Sequence, residues 1–196
     1  MAQRLAVVAH GATAGFGTVV FGDPGPLVDA RAISPVTARV SWWRHGPEVA
    51  CAETAARLGG PGLAMPPLAS CDFGSWTGRS LAEMGADDPE AVRNWLADPH
   101  AKPHGGESFS ELITRVGAVI DQTDWPDGQS MVVVSPLVAS AVVVHALKGP
   151  PEMIFRIDVS PLARVRVSRS TGSWRLRFEP GADLYSTPKP TSSGSV

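Results

Sequence analysis

Two short apolar runs constrain this chain most. Leu5-Ala-Val-Val-Ala9 ends at His10-Gly11, and Ser130-Met-Val-Val-Val134 ends at Ser135-Pro136. Each is too short for a buried helix, each is continuously apolar, and each stops at a residue that turns the chain. A strand buried on both faces reads this way, as in a sheet covered by helices on either side. The segments between them carry helix signals. Gly46-Pro47-Glu48 opens a helix that runs to Leu58 and stops at Gly59-Gly60, with proline early and glycine at the end. A short helix near 80–84 and another from Pro89 to Ala97 follow. Ser108 caps a further helix, with Glu111 three residues on as a capping box and Phe109, Leu112, Ile113, Val116 and Ile120 as its apolar stripe. Leu137 to Leu147 is an apolar helix. Strands alternating with helices predict a three-layer α/β/α domain with a mostly parallel central sheet.

The remaining segments fit around that frame. Residues 11–35 are rich in Gly and Pro and read as loop with one helical turn. Ala38 to Trp43 is strand-like, and 61–79 reads as loop. Arg164 to Arg169 and Trp174 to Phe178 alternate with period two around Thr171-Gly172, which predicts a hairpin at the sheet edge. One domain over residues 1–185 is expected, followed by a disordered tail over 186–196, a stretch of Ser, Thr, Pro and Gly without core anchors.

Composition excludes several classes of function. A net charge of −2 gives no overall basic excess, so nucleic acid and anionic membrane surfaces are not expected partners, and any anion site must be local. No apolar run approaches the ~18 residues that span a bilayer. The N-terminus lacks a signal-type apolar stretch, so a cytoplasmic location is expected. Cys51 and Cys71 stand in no ligand spacing and are expected as buried thiols. The five histidines likewise lack metal spacing, so no metal or other cofactor is expected. In open α/β sheets ligands bind beyond the C-terminal ends of the strands. His10 and Ser135 both stand there and are the first candidates for a site.

Five ordered segments resemble the histidine phosphatase superfamily, the phosphoglycerate mutase-like fold. Val7-Val-Ala-His-Gly-Ala-Thr13 resembles its opening Arg-His-Gly-Glu-Thr signature. Gly46 to Ala56 is similar to its second element, where an arginine precedes a Glu/Gln-Thr-Ala helix. Leu68-Ala-Ser-Cys-Asp-Phe-Gly-Ser-Trp-Thr-Gly78 is similar to its Leu-x-Glu-x-x-x-Gly-x-Trp-x-Gly loop. Pro103-His-Gly-Gly-Glu-Ser108 is similar to its Pro-x-Gly-Glu-Ser helix start, and Val132 to Pro136 to the late strand that ends in its second histidine. The resemblance implies a metal-independent site. One histidine takes up the phosphoryl group, two arginines and a second histidine hold its oxygens, and a carboxylic acid protonates the leaving group. Such chemistry depends on fixed cations, above all bidentate guanidinium groups.

Carried over residue by residue, the resemblance leaves little of that set. His10 falls on the nucleophile, but Ala9 stands for the first arginine, Ala50 for the second and Ser70 for the acid. The second histidine falls on Ser135, or on Pro136 if the alignment shifts by one. The candidate catalytic residue is therefore His10 alone, a remnant nucleophile. Gly11, Thr13, Ser70, Trp76, His104, Glu107 and Ser135 are candidate binding residues. Arg44-His45-Gly46 spells the family tripeptide but precedes the second element, so His10 is preferred. Arg31, Arg44 and His45 are candidates for relocated cations, and Asp72 and Glu107 for a replacement acid.

The expected protein is a histidine phosphatase-fold pseudoenzyme that acts by binding a small molecule or a protein partner, with a homodimer left open. One alternative is a repurposed enzyme that uses His10 as a lone acid or base on a substrate without phosphate. The other is a weak phosphomonoesterase with relocated cations.

Overall fold

The computed structural model describes residues 3–22, 25–60, 62–170 and 172–177. The two apolar runs form the centre of the fold. β1 (Gln3–Ala9) and β4 (Gln129–Val134) pair in parallel, with Val7 opposite Val132 and Ala9 opposite Val134. β2 (Trp42–His45) lies parallel on the other side of β4, and β3 (Leu63–Ala64) parallel on β2. β5 (Arg164–Arg169) runs antiparallel to β1, and β6 (Trp174–Arg177) antiparallel to β5. The sheet order is β3-β2-β4-β1-β5-β6. The parallel core and the edge hairpin both match the sequence reading. Thr171 in that hairpin and Phe178 lie outside the described residues, as does the expected tail over 186–196.

Alternate residues of β1 and β4 feed two cores. Leu5, Val7, Ala9, Val132 and Val134 pack with α4 (Phe109–Gln122) and α5 (Pro136–Ala146). Ala6, Val8, Met131 and Val133 pack with Cys51, Ala55 and Leu58 of α1 (Val49–Leu58). This is the expected α/β/α layering. α5 is apolar all round because it is buried all round, with only its ends reaching water. The short α2 (Leu81–Asp87) and α3 (Pro89–Ala97) place Met84, Val92 and Trp95 against the same larger core.

The helix ends follow the sequence. Gly59 closes α1 at φ 102°, a conformation glycine adopts without a Cβ penalty. Ser108 and Glu111 form the capping box of α4, and Ser80 and Glu83 form another at α2. His145 near the end of α5 lies 3.0 Å from the Asp121 carboxylate. Asp121 also accepts from Trp174 Nε1 and Arg169, tying α4 and α5 to the hairpin.

Two expectations are corrected. The strand expected over 38–43 is β2 at Trp42–His45. Ladder pairing on this side begins where the Ser41 amide meets the Gln129 carbonyl, and residues 36–40 bridge across from α1 instead, Val36 bonding to Leu58. The loop expected over 61–79 contains β3, too short to show a period.

Candidate functional site

A cavity of about 360 Å³ opens beyond the C-terminal ends of β1 and β4. His10, Thr13, Ser70 and Ser135 line it, so the structure brings together four of the residues singled out in the sequence. His10 leaves β1 with its amide bonded to the Val134 carbonyl at 2.8 Å, which pins it between the two strands. Its ring Nδ1 lies 2.7 Å from the Gly11 carbonyl oxygen. A carbonyl only accepts, so Nδ1 carries a proton, and in the neutral ring Nε2 then holds the lone pair. Gly11 does not line the cavity but fixes the turn, its amide donating to Thr54 Oγ1 at 3.0 Å. A side chain at Gly11 would press on Leu27 and Ile33.

Ser135 sits at the N-cap of α5, its Oγ accepting from the Val138 amide. Ser70 is held by its backbone. Its amide donates to Glu48 Oε1, and its carbonyl lies within reach of Arg115 Nη2. Arg115 grips Glu107 through Nε and Nη2 at 2.8 and 2.7 Å and also donates to the carbonyls of Pro67 and Ala69. Glu107 is therefore half of an ion pair that anchors the Ser70 loop, and it lies outside the cavity lining. Arg115 carries no family motif and was not singled out in the sequence. Its position two turns along α4 from Glu107 is the only signal that could have exposed it.

Trp76 and His104 also lie outside the lining. Trp76 packs against Phe21, Trp95 and the His104 ring in an aromatic cluster beneath the loop. His104 is 3% exposed and accepts from the Gly106 amide through Nδ1. Burial holds its pKa below the ordinary histidine value, with Asp72 pulling the other way. Asp72, a candidate replacement acid, lies outside the cavity lining and accepts from the Gly74 amide within its own loop.

The rest of the lining was not legible in advance. Phe16, Val19, Val20, Leu137, Ile157 and Val159 make much of it apolar, with Cys71, Phe73, Ser140 and Asp158 added. Among the described residues no lysine or arginine lines it, and its only carboxylate is Asp158. The proposed relocated cations lie elsewhere. Arg44 stacks its guanidinium 3.8 Å over the Trp42 ring and donates to the Trp43 carbonyl. Arg31 is exposed in a turn after Asp29. His45 ends β2 much as His10 ends β1, its Nδ1 bonded to the Gly46 carbonyl, but it is buried and does not reach the cavity.

The Cys71 thiol is no substitute nucleophile. Burial and then the Glu107 carboxylate push its pKa up to about 12, which keeps it protonated at neutral pH. Cys51 is pushed up too, by burial and by Glu48. Both cysteines are unpaired and buried, as expected. Among the described residues no group of three or more His, Cys, Asp or Glu side chains is placed to hold a metal ion.

The layered sheet and its helices define a phosphoglycerate mutase-like fold. The chain belongs to the histidine phosphatase superfamily (branch 1), whose profile matches residues 45–179. That match begins after His10. A bifunctional protein of Mycobacterium tuberculosis is 47% identical over 49 residues, 25% of this chain but 14% of that protein's length. Phosphoserine phosphatase 1 of Hydrogenobacter thermophilus is 33% identical over 82 residues, 40% of this chain and 38% of the relative. Among solved structures, a putative alpha-ribazole-5'-P phosphatase from Escherichia coli superposes with a TM-score of 0.76. It is 24% identical, over 90% of this chain and 95% of that one. The mycobacterial glucosyl-3-phosphoglycerate phosphatase gives 0.73 at 20% identity, over 90% and 97%. These likenesses establish the fold.

Proposed function

We propose that this protein is a histidine phosphatase-fold pseudoenzyme that does not hydrolyse ordinary phosphomonoesters and instead binds a ligand without a phosphate monoester in the His10 cavity. One observation carries the reading: the described lining holds no arginine or lysine and includes Asp158. A phosphoryl group in transit spreads negative charge over its oxygens, and its stabilisation comes from positioned cations. Each charge-assisted hydrogen bond contributes ~1.5–3 kcal/mol. Absence of three such groups lowers the rate by several orders of magnitude. An apolar wall with a few hydroxyls suits an uncharged or weakly polar molecule instead. The phosphatases among its relatives supply the contrast, since their names assign them phosphorylated substrates. The buried, unpaired cysteines support a cytoplasmic setting.

The second reading, a repurposed enzyme, rests on the His10 ring. Its Nδ1 proton is committed to Gly11, which leaves Nε2 able to take a proton from a bound substrate. The test is hydrolysis of p-nitrophenyl phosphate by the full chain and by His10→Ala. Both are expected to give the same background rate. Turnover by the wild type that His10→Ala abolishes would overturn the pseudoenzyme reading.

A further inference from the structure

The cations missing from the His10 cavity are plentiful on another surface. α1 packs on β2 and β4 and leaves the same side of β5 and β6 uncovered by helix. Register places Arg4, Ser168 and Arg175 in one row across β1, β5 and β6, and Ala6, Arg166 and Arg177 in the next. Arg164, opposite Val8, continues that face. Their neighbours Leu5, Val167 and Leu176 point into the core on the other side. A cavity of about 400 Å³ sits on this face, lined by Arg4, Arg166, Arg175 and Arg177 with Ser168 and Gln129. None of the residues lining it lines the His10 cavity.

We propose that this arginine-lined cavity binds an oligophosphate, a compact anion of two or more linked phosphate groups. No aspartate or glutamate is among its described lining residues. Arg4, Arg164, Arg175 and Arg177 are exposed and form no ion pair among the described residues. Arg166 and Arg177 stand directly opposite each other on an antiparallel ladder. Neighbouring strands lie ~5 Å apart and alternate residues on a strand ~7 Å apart, so these arginines spring from backbone positions within about 12 Å of one another and line one cavity. A single tetrahedral ion engages one or two of them, whereas linked phosphates engage several, and guanidinium forks suit phosphate oxygens. Among the described residues no aromatic side chain lines the cavity to offer a platform on which the bases of a single strand could stack.

Inorganic triphosphate, titrated into the full chain by calorimetry at low and high ionic strength, tests this. Saturable binding that weakens as salt rises is expected. The double variant Arg175→Gln/Arg177→Gln, on an exposed edge strand, is expected to weaken it by about tenfold or more. His10→Ala is expected to leave it unchanged, which separates this proposal from the reading of the His10 cavity. Circular dichroism confirms that the double variant stays folded; if it does not, Arg4→Gln replaces it, with a loss of affinity again expected. Absence of saturable binding at low salt would overturn the proposal. So would equal affinity for inorganic monophosphate, binding lost in His10→Ala but kept in the arginine variant, or duplex DNA bound in preference to triphosphate.

Discussion

His10 keeps the tautomer a nucleophile or base needs because one carbonyl, that of Gly11, claims the proton on Nδ1. What it lacks is company. Among the described residues, the cavity it lines carries hydroxyls, apolar carbon and Asp158 but no guanidinium group. His104 shows the opposite arrangement, a histidine kept neutral by burial among Phe73 and Trp76. Its folded pKa lies below the unfolded value, so the unfolded chain gains a proton first as pH falls. Stability is then lost as pH drops below about 6.5 and levels off below the folded pKa. Denaturant titrations of wild type and His104→Phe at neutral and mildly acid pH are expected to show a smaller acid-induced loss in the variant. An equal loss in both would contradict this.

At the scale of elements, the Ser70 loop takes its shape from α4. Arg115 bonds Glu107 and three loop carbonyls between Pro67 and Ser70, while the capping box fixes the start of the helix. Arg115→Ala leaves Glu107 without its partner, with 15% of its side chain exposed. A loss of about 2 kcal/mol follows, which lowers Tm by roughly 5 °C in a domain of this size. Scanning calorimetry checks it, and an unchanged Tm would contradict the anchoring role. Lys102 and the Ser108 amide hold Glu111 down to a pKa of about 2. Its capping contribution is therefore present above its ordinary value of about 4.5 and fades as pH falls towards 2. The capping box was readable because Ser108 and Glu111 stand three apart before an apolar stripe. The Arg115 clamp was not, because its partners are carbonyls 45 to 48 residues away.

Across the whole molecule, the layered fold was legible because its two central strands are continuous apolar runs and each helix carries end signals. The location of the cavity followed from His10 and Ser135 at strand ends. Most of its walls did not. Phe16, Val19 and Val20 come from a Gly-rich loop without periodicity, and Ile157 and Val159 from a connection far along the chain. Trp76, His104 and Glu107, all carried over from family motifs, lie outside the cavity lining. The sequence also hid where its positive charge goes. A net charge of −2 conceals a five-arginine face on β1, β5 and β6, which only strand register assembles. The central claim is that the His10 cavity no longer holds phosphate. It is tested most directly by following the His10 ring nitrogens by NMR while inorganic phosphate is added to the full chain. The account predicts no saturable change in the His10 signals, whatever happens at the arginine face. A saturable shift of those signals, reversed by vanadate competition, would contradict it.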